Sequence, residues 1–368
     1  MLLRRLGSVP DATVPSMPRT IVGDIMPDVV EPLQFLAVPV LTFAPFSPPT
    51  LILPQPAARH AEKPGVSIPR EVLPGRTYMI TRRCTQRQFL MRPDRETNNA
   101  FIYCLGVAAQ KFGIRVLFTV AMSNHHHTGI HDPDGCYPEF IEHFHKLFAK
   151  CQNALRGRWE NFWSSEQTSV VRLVDPNDVV DKMTYALTNP VKDNLVDKAH
   201  HWPGVTSLDF LLHRRPLTAS RPKHFFREEG PMPELVSLSF SRPETFRHLS
   251  TAEFSAIILE RVRAVEEASA AERRRTGVTL LGRKNVLAQR WRDRPTSREP
   301  RRQLSPRIAA RSKWSRIEAL LRNRAFRDAY IAARASFAAG VRDVLFPAGT
   351  YWLRRFTRAL CAPWPQPA

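Results

Sequence analysis

The order of hydrophobic patterns between residues 76 and 174 constrains the fold more than any other feature of this sequence. Alternation of apolar and polar residues indicates a strand, and apolar residues spaced three and four apart indicate an amphipathic helix. The two patterns follow one another here as strand, helix, strand, strand, helix, strand. The predicted elements are strand 76–84, helix 95–112, strand 114–122, strand 125–130, helix 138–158 and strand 169–174.

This order predicts an α+β fold of the ferredoxin-like kind, in which helices cover one face of an antiparallel sheet. The chain as a whole divides into four predicted parts. They are a Pro-rich tail at 1–68, mostly disordered or polyproline-like, the α+β domain at 69–210, a linker at 211–250, and a mostly helical, basic C-terminal region at 251–368. Within the last part, helices are predicted over 251–275 and 312–341.

One further helix follows the predicted sheet strands. Asp175 at its N-cap and Pro176 at its first position indicate where it starts, and Pro190 requires it to end near Asn189. At about 100° per residue, Tyr185 and Asn189 fall on the side opposite the apolar residues. The apolar side holds Val179, Val180, Met183 and Leu187, and the polar side also holds Asp178 and Asp181. Tyr185 is therefore not placed where a core tyrosine would be.

The charge balance indicates an anionic partner. The chain has 54 Lys and Arg against 34 Asp and Glu, a net charge of +20, which favours nucleic acid over an acidic membrane surface. The alternative is a solvated basic surface. Five cysteines without a C-x-x-C pair argue against a disulfide framework and predict a reducing, cytoplasmic location. The sequence lacks an unbroken apolar stretch of the kind that would predict a membrane helix.

The histidine triplet His125-His126-His127 indicates a partial metal site. Because residues two apart on a strand point to the same face, His125 and His127 are predicted to lie side by side while His126 faces the other way. Two neutral imidazoles on one face can bind a divalent ion. The alternative is three polar histidines at a strand end, without a metal.

Tyr185 and Asn189 extend this site. Four residues apart on a helix, their side chains are neighbours, so the amide oxygen of Asn189 can supply a third metal ligand beside the tyrosine. A phenol with a pKa near 10 is a poor nucleophile at neutral pH, and a nearby cation lowers that barrier. The alternative is a plain surface tyrosine.

Three stretches carry a resemblance to a known family. Met122-Ser-Asn-His-His-His127 resembles the Met-Pro-Asn-His-x-His signature of HUH single-tyrosine transposases, and Tyr185-Ala-Leu-Thr-Asn-Pro-Val-Lys192 resembles the Tyr-x-x-x-Asn-Pro-Val-Arg signature of the REP-associated branch. Trp202-Pro203 with Ser207 resembles that branch's Trp-Pro-x-Ser segment. The resemblance runs from about residue 75 to 208, with the motifs in the family's order.

The resemblance implies a nuclease domain that binds Mg²⁺ or Mn²⁺ through His125, His127 and Asn189, with Tyr185 as the nucleophile. The family cuts single-stranded or hairpin DNA through a 5′-phosphotyrosine link and rejoins it to another strand. The chain departs from the family at two positions: Ser123 replaces a proline, and His126 replaces an apolar residue. We interpret His126 as a hydrogen-bonded histidine on the second face rather than a competing metal ligand.

Further basic residues are candidate DNA contacts: Arg76, Arg82, Arg83 and Lys192. In the C-terminal region, arginines interleaved with Trp291 and Trp314 suit phosphate contacts and stacking on unpaired bases, or else form a helical domain with a solvated basic face. Three other functions compete with the transposase: a catalytically weak or domesticated DNA-binding protein, a replication initiator or relaxase, and a zinc-binding structural protein. The sequence fits a monomer or a dimer.

Overall fold

The computed structural model describes residues 69–297 and 306–365, and the tail predicted at 1–68 lies outside the described residues. The described elements are β1 (Arg76–Arg83), α1 (Arg95–Lys111), β2 (Arg115–Ala121), β3 (His125–Asp132), α2 (Tyr137–Arg156), β4 (Ser169–Leu173), α3 (Pro176–Leu187), α4 (Asn189–Lys192), α5 (Leu208–His213), β5 (Leu217–Ser220), β6 (Leu235–Leu238), α6 (Thr251–Thr276), α7 (Arg283–Ala288), β7 (Ile308–Ala309), α8 (Lys313–Ala338) and α9 (Tyr351–Phe356).

A five-stranded sheet organises the fold, with strand order β2-β3-β1-β4-β7. The first four strands pair antiparallel, and the short β7 joins β4 in parallel. Strands β1 to β4 with helices α1 and α2 follow the predicted split βαβ order. The predicted α+β class with a helical C-terminal region is confirmed.

The sheet is covered on both faces because side chains alternate along each strand. On β1, Tyr78 and Ile80 join the apolar core beneath α1 and α2, whereas Met79 joins a second core beneath α3 and α6. Helices α1 and α2 therefore lie on one face, as predicted. The helices of the opposite face were not predicted to lie there. One of them, α6, contributes a buried stripe of residues four apart: Phe254, Ile258 and Val262.

The helix that carries Tyr185 ends earlier than expected. Helix α3 stops at Leu187, and the separate short helix α4 begins at Asn189, so Tyr185 and Asn189 lie on consecutive helices instead of one. The reason is Pro190, which lacks an amide donor and cannot continue the helical ladder. Asp178 was predicted on the polar side but is buried, because its carboxylate accepts hydrogen bonds from the backbone N–H groups of Asp175 and Arg311, at 2.9 and 2.7 Å.

The segment 211–250 contains regular secondary structure. Its strands β5 and β6 form an antiparallel hairpin that packs on α1, with Val236 against Gly106. This hairpin was not predicted, because each of its strands has four residues, too few for alternation to stand out among the surrounding prolines. The four-part division of the chain stays a prediction.

The predicted C-terminal helices are present as α6 and α8, each of 26 residues. Much of the apolar surface of α8 faces solvent, and Trp314 is 76 % exposed. In the described part of the chain, no helix is both long enough and apolar enough to cross a membrane.

Candidate active site

The pleat of β3 sorts the histidine triplet between the two faces of the sheet. His125 and His127 lie on the face covered by α3, with ring centroids 4.9 Å apart. His126 lies on the opposite face, among the aromatic rings of Phe101 and Phe144. The strand therefore brings together the two imidazoles that the sequence predicts as neighbours.

His126 is fully buried and hydrogen-bonded. Its Nε2 lies 2.9 Å from Nε2 of His145 on α2, and its Nδ1 lies 3.0 Å from Oγ1 of Thr128. Burial lowers the pKa of both histidines, that of His145 to about 3, so both rings are neutral and one can donate to the other. This geometry agrees with the interpretation of His126 as a hydrogen-bonded residue of the second face.

Both histidines of the site are oriented through Nδ1. The Nδ1 atom of His127 lies 2.8 Å from Oγ1 of Thr81, and that of His125 lies 2.7 Å from Oδ1 of Asn124. Metal-binding histidines commonly engage one ring nitrogen in this way and ligate through the other. Burial, together with the neighbouring His125 and His126, holds the pKa of His127 well below its usual range, so its ring is neutral and can act as a ligand.

Asn189 lies beside His127 and is the third candidate donor. Its amide lies 3.1 Å from Nε2 of His127, through the atom assigned as Nδ2. Rotating the amide by 180° would place its oxygen there instead. The two orientations have the same shape and are distinguished only by their hydrogen bonds. The described residues contain no group of three or more His, Cys, Asp or Glu able to hold a metal, so any ion here would rely on two imidazoles and one amide oxygen. Two imidazole nitrogens and one amide oxygen are donors that suit a divalent metal ion.

Tyr185 reaches the same point from α3. Its ring centroid lies 5.6 Å from that of His127, and its side chain remains 42 % exposed. Lys182 and Lys192 place their ammonium groups 5.9 and 5.3 Å from the centre of the ring. Partial burial and the nearby carboxylate of Asp193 raise the pKa of Tyr185, so the phenol is protonated at neutral pH.

These side chains open into a groove of about 1290 Å³. One wall carries the site residues, and the other is formed by residues 289–297, between α7 and β7. The backbone of Phe89 donates to the carbonyl of Asp293 at 2.8 Å, and Arg87 donates to the carbonyl of Ser297 at 2.7 Å. This second wall was not predicted, because no local pattern links segments about 200 residues apart.

The rim of the groove carries backbone strain. Gln86 and Arg87 have φ values of 49° and 59°, in the left-handed region that L-residues with side chains rarely occupy. Consecutive strained residues of this kind cluster at functional sites. A side pocket of about 620 Å³ adjoins the groove through Gln86 and is lined by Trp291 and by Trp159, which is 97 % exposed.

The four candidate DNA contacts separate into two groups. Arg83 lines the groove, and Lys192 lies beside Tyr185. Arg76 is at the opposite end of β1, ion-paired with Glu71 at 2.6 Å. Arg82 is bound to the 164–168 loop through hydrogen bonds to Thr168 and two backbone carbonyls, and it does not line the groove.

No protein-family model and no curated protein matches the chain. Among solved structures, a REP-associated tyrosine transposase bound to a REP hairpin is similar over 50 % of this chain and 100 % of that chain, with 16 % identity and a TM-score of 0.35. A candidate transposase from Deinococcus radiodurans is similar over 32 % of this chain and 93 % of that chain, with 12 % identity and a TM-score of 0.24. Likenesses of this degree carry no argument about function.

Proposed function

We propose that this protein is a metal-dependent single-stranded DNA endonuclease and strand transferase, a transposase that acts through a 5′-phosphotyrosine intermediate on hairpin or palindromic repeat DNA. One observation carries the proposal: Tyr185 and Asn189, some sixty residues beyond the histidines, meet His127 at one end of the sheet. The motifs that resemble the HUH transposases are the motifs that converge there.

In this proposal, Nε2 of His125 and His127 and the amide oxygen of Asn189 hold Mg²⁺ or Mn²⁺. When bound, the ion acts as a Lewis acid on the scissile phosphate. Imidazole ligands suit Mn²⁺ better than Mg²⁺, which prefers oxygen. Thr81 and Asn124 keep the two rings in the required orientation.

The chemical step is a transesterification. The Oη atom of Tyr185 forms a bond to phosphorus, the bond from phosphorus to the 3′ oxygen breaks, and that oxygen leaves as a 3′-hydroxyl after taking up a proton. Attack by another 3′-hydroxyl reverses the step. Because the pKa of Tyr185 is raised, its proton must be removed as it attacks, and Lys182 and Lys192 stabilise the negative charge that develops.

The groove supplies a path for the strand. Arg292 and Arg294 on the second wall can contact phosphates, and the neighbouring pocket offers Trp159 and Trp291 as surfaces for an unpaired base. The guanidinium of Arg292 lies 4.7 Å from the centre of the Trp291 ring, which keeps positive charge at the entrance of that pocket.

A covalent-adduct assay tests the proposal. The full chain is incubated with Mn²⁺ and a single-stranded hairpin labelled on either side of the cleavage point, then run on a denaturing gel. We expect an adduct that retains the strand 3′ of the cut, requires the metal, and disappears in Tyr185→Phe. Tyr330→Phe, which removes a hydroxyl on α8, is the matched control and should form the adduct normally. An adduct that persists in Tyr185→Phe would refute the assigned nucleophile.

The second candidate is a DNA-binding protein with little catalytic activity. It is favoured by the raised pKa of Tyr185 and by a ligand set without a carboxylate. The same assay separates the two candidates, because the second predicts hairpin binding without any adduct.

A further inference from the structure

A second cluster of charged residues lies at the opposite end of β1 from the histidines. A small, partly open cavity of about 40 Å³ lies there between the sheet and α8. Four arginines line it: Arg70, Arg76, Arg172 and Arg307. Among the described residues that line it, Glu71 is the one acidic side chain.

The carboxylate of Glu71 is already engaged. It pairs with Arg76 at 2.6 Å and with Arg322 at 3.5 Å. Arg70 donates to the neutral carbonyls of Thr168 and Val170. Among the described residues, the cavity wall therefore places the guanidinium groups of Arg70, Arg76 and Arg172 near one carboxylate, that of Glu71, which leaves an excess of positive charge in a partly buried place.

Arg172 is the least compensated of these residues. Its guanidinium group makes no hydrogen bond or ion pair with any described residue, although its backbone N–H donates to the carbonyl of Arg307 at 2.9 Å. Burial together with the neighbouring Arg76 lowers the pKa of Arg172. An anion beside the guanidinium group of Arg172 would stabilise it, because a partly buried charge is costly unless it is paired.

Two buried polar atoms in the cavity also have no partner. The hydroxyl of Tyr78 and the Nη2 atom of Arg76 make no hydrogen bond with the described residues, although Tyr78 is only 3 % exposed. The ring of Tyr78 is fixed against that of Tyr137, with centroids 4.4 Å apart, so the hydroxyl is held in place. Unpaired buried donors of this kind require an acceptor.

We propose that this cavity binds one small tetrahedral oxyanion of the phosphate class. The anion would accept hydrogen bonds from Arg76, Arg172 and the hydroxyl of Tyr78. The volume admits one such group but excludes a nucleoside. Because the lining includes Arg307 and Ile308 of the β7 region and Asn323 of α8, the bound anion would also fasten the C-terminal region to β4.

The test is thermal unfolding of the full chain in increasing inorganic phosphate, with chloride replacing it at equal ionic strength. We expect a saturable rise in Tm in the wild-type protein, a weaker rise in Tyr78→Phe, and none in Arg172→Leu. Arg263→Leu, which removes an exposed arginine on α6, should behave as wild type. Calorimetric titration of the wild-type protein with phosphate should show one site, which makes the test independent of whether any variant folds.

The outcomes that overturn the proposal are specific. A rise in Tm that never saturates and is equal in all four proteins is a general solvent effect of phosphate. No heat of binding, with Tyr78→Phe as stable as wild type, would mean that the cavity holds only water. A 5′-phosphorylated oligonucleotide, compared with the same oligonucleotide lacking that phosphate, distinguishes a nucleic-acid end from free phosphate as the source of the anion.

Discussion

Two neighbouring residues of β3 show how position decides the chemistry of a side chain. His126 is turned into the core, where burial keeps its ring neutral and a hydrogen bond joins it to His145. His127 is turned to the other face, where it meets Asn189 and Tyr185. The same residue type therefore fills a structural role at one position and a candidate ligand role at the next.

Asn189 gives a test of the ligand set at this scale. Asn189→Asp has the same shape but adds an anionic oxygen, so we expect Mn²⁺ to bind about tenfold more tightly, since ligand charge raises the affinity of such sites. Mn²⁺ titration followed by electron paramagnetic resonance measures this directly. Asn177→Asp adds the same charge at an exposed position on α3 and should leave the affinity almost unchanged. Equal affinities for Asn189→Asp and wild type would remove Asn189 from the site.

At the scale of elements, the contact between α1 and the β5–β6 hairpin makes an unusual prediction. Helix propensity alone would make Gly106→Ala stabilising by about 1 kcal/mol. The added Cβ would lie 2.2 Å from Cγ1 of Val236, so we expect instead a loss of about 1–3 kcal/mol in the free energy of unfolding.

The change is measured by urea unfolding, with Val236→Ala as the partner variant. Gly106→Ala should cost less in the Val236→Ala background than alone, because the clashing methyl group is gone. A stabilised Gly106→Ala protein would show that the hairpin does not pack on α1 as described.

The His126–His145 pair couples β3 to α2 and predicts a pH dependence of stability. The pKa of His145 in the folded state, about 3, lies below the ordinary value of about 6.5, so the unfolded chain takes up the proton first as the pH falls. The contribution of neutral, buried His145 to the free energy of unfolding is complete above about pH 6.5. As the pH falls towards 3, this contribution is lost by about 1.4 kcal/mol per pH unit.

His145→Gln can still hydrogen-bond but does not titrate. Urea unfolding at pH 7 and pH 5 should show a smaller fall in stability for His145→Gln than for wild type. His213→Gln, at an exposed position, is the control and should keep the wild-type fall. Identical pH dependence in all three proteins would contradict the burial of a neutral pair.

The elements that sequence reasoning placed well are those with long, uniform patterns. The strands and helices between residues 76 and 174 were placed to within two residues, because eight-residue alternation and helices of 17 and 20 residues leave little ambiguity. The predicted end of α3, near Asn189, lies two residues beyond the observed end at Leu187, because Pro190 ends the helix earlier than expected. Arg76 was predicted as a DNA contact, but it forms an ion pair with Glu71, which lies outside β1. The residue type of Arg76 alone does not indicate such a partner.

At the scale of the whole molecule, the C-terminal half completes the candidate site. Residues 289–297 form the second wall of the groove, and α6 covers the sheet face on which α3 lies. Removing this half would expose an apolar face as well as remove charge. Single charge changes are therefore the cleaner probe of its role.

Arg294→Gln is such a change. If Arg294 contacts a phosphate of the bound strand, the slope of log K against log salt should become shallower by about one unit, with affinity reduced for every sequence tested. Fluorescence anisotropy with a labelled single strand measures the slope. Arg263→Gln removes the same charge from α6, away from the groove lining, and should leave the slope as in wild type. Equal slopes for Arg294→Gln and wild type would mean that this wall does not touch the DNA.

The central claim is that the two imidazoles of His125 and His127 and the amide oxygen of Asn189 bind one metal ion beside the phenol of Tyr185. Crystals of the full chain soaked in Mn²⁺ and measured for anomalous scattering test this most directly. We predict one strong peak bounded by Nε2 of His125, Nε2 of His127 and the side-chain oxygen of Asn189, on the side facing Tyr185. A peak bound elsewhere, or no peak at saturating Mn²⁺, would contradict the account.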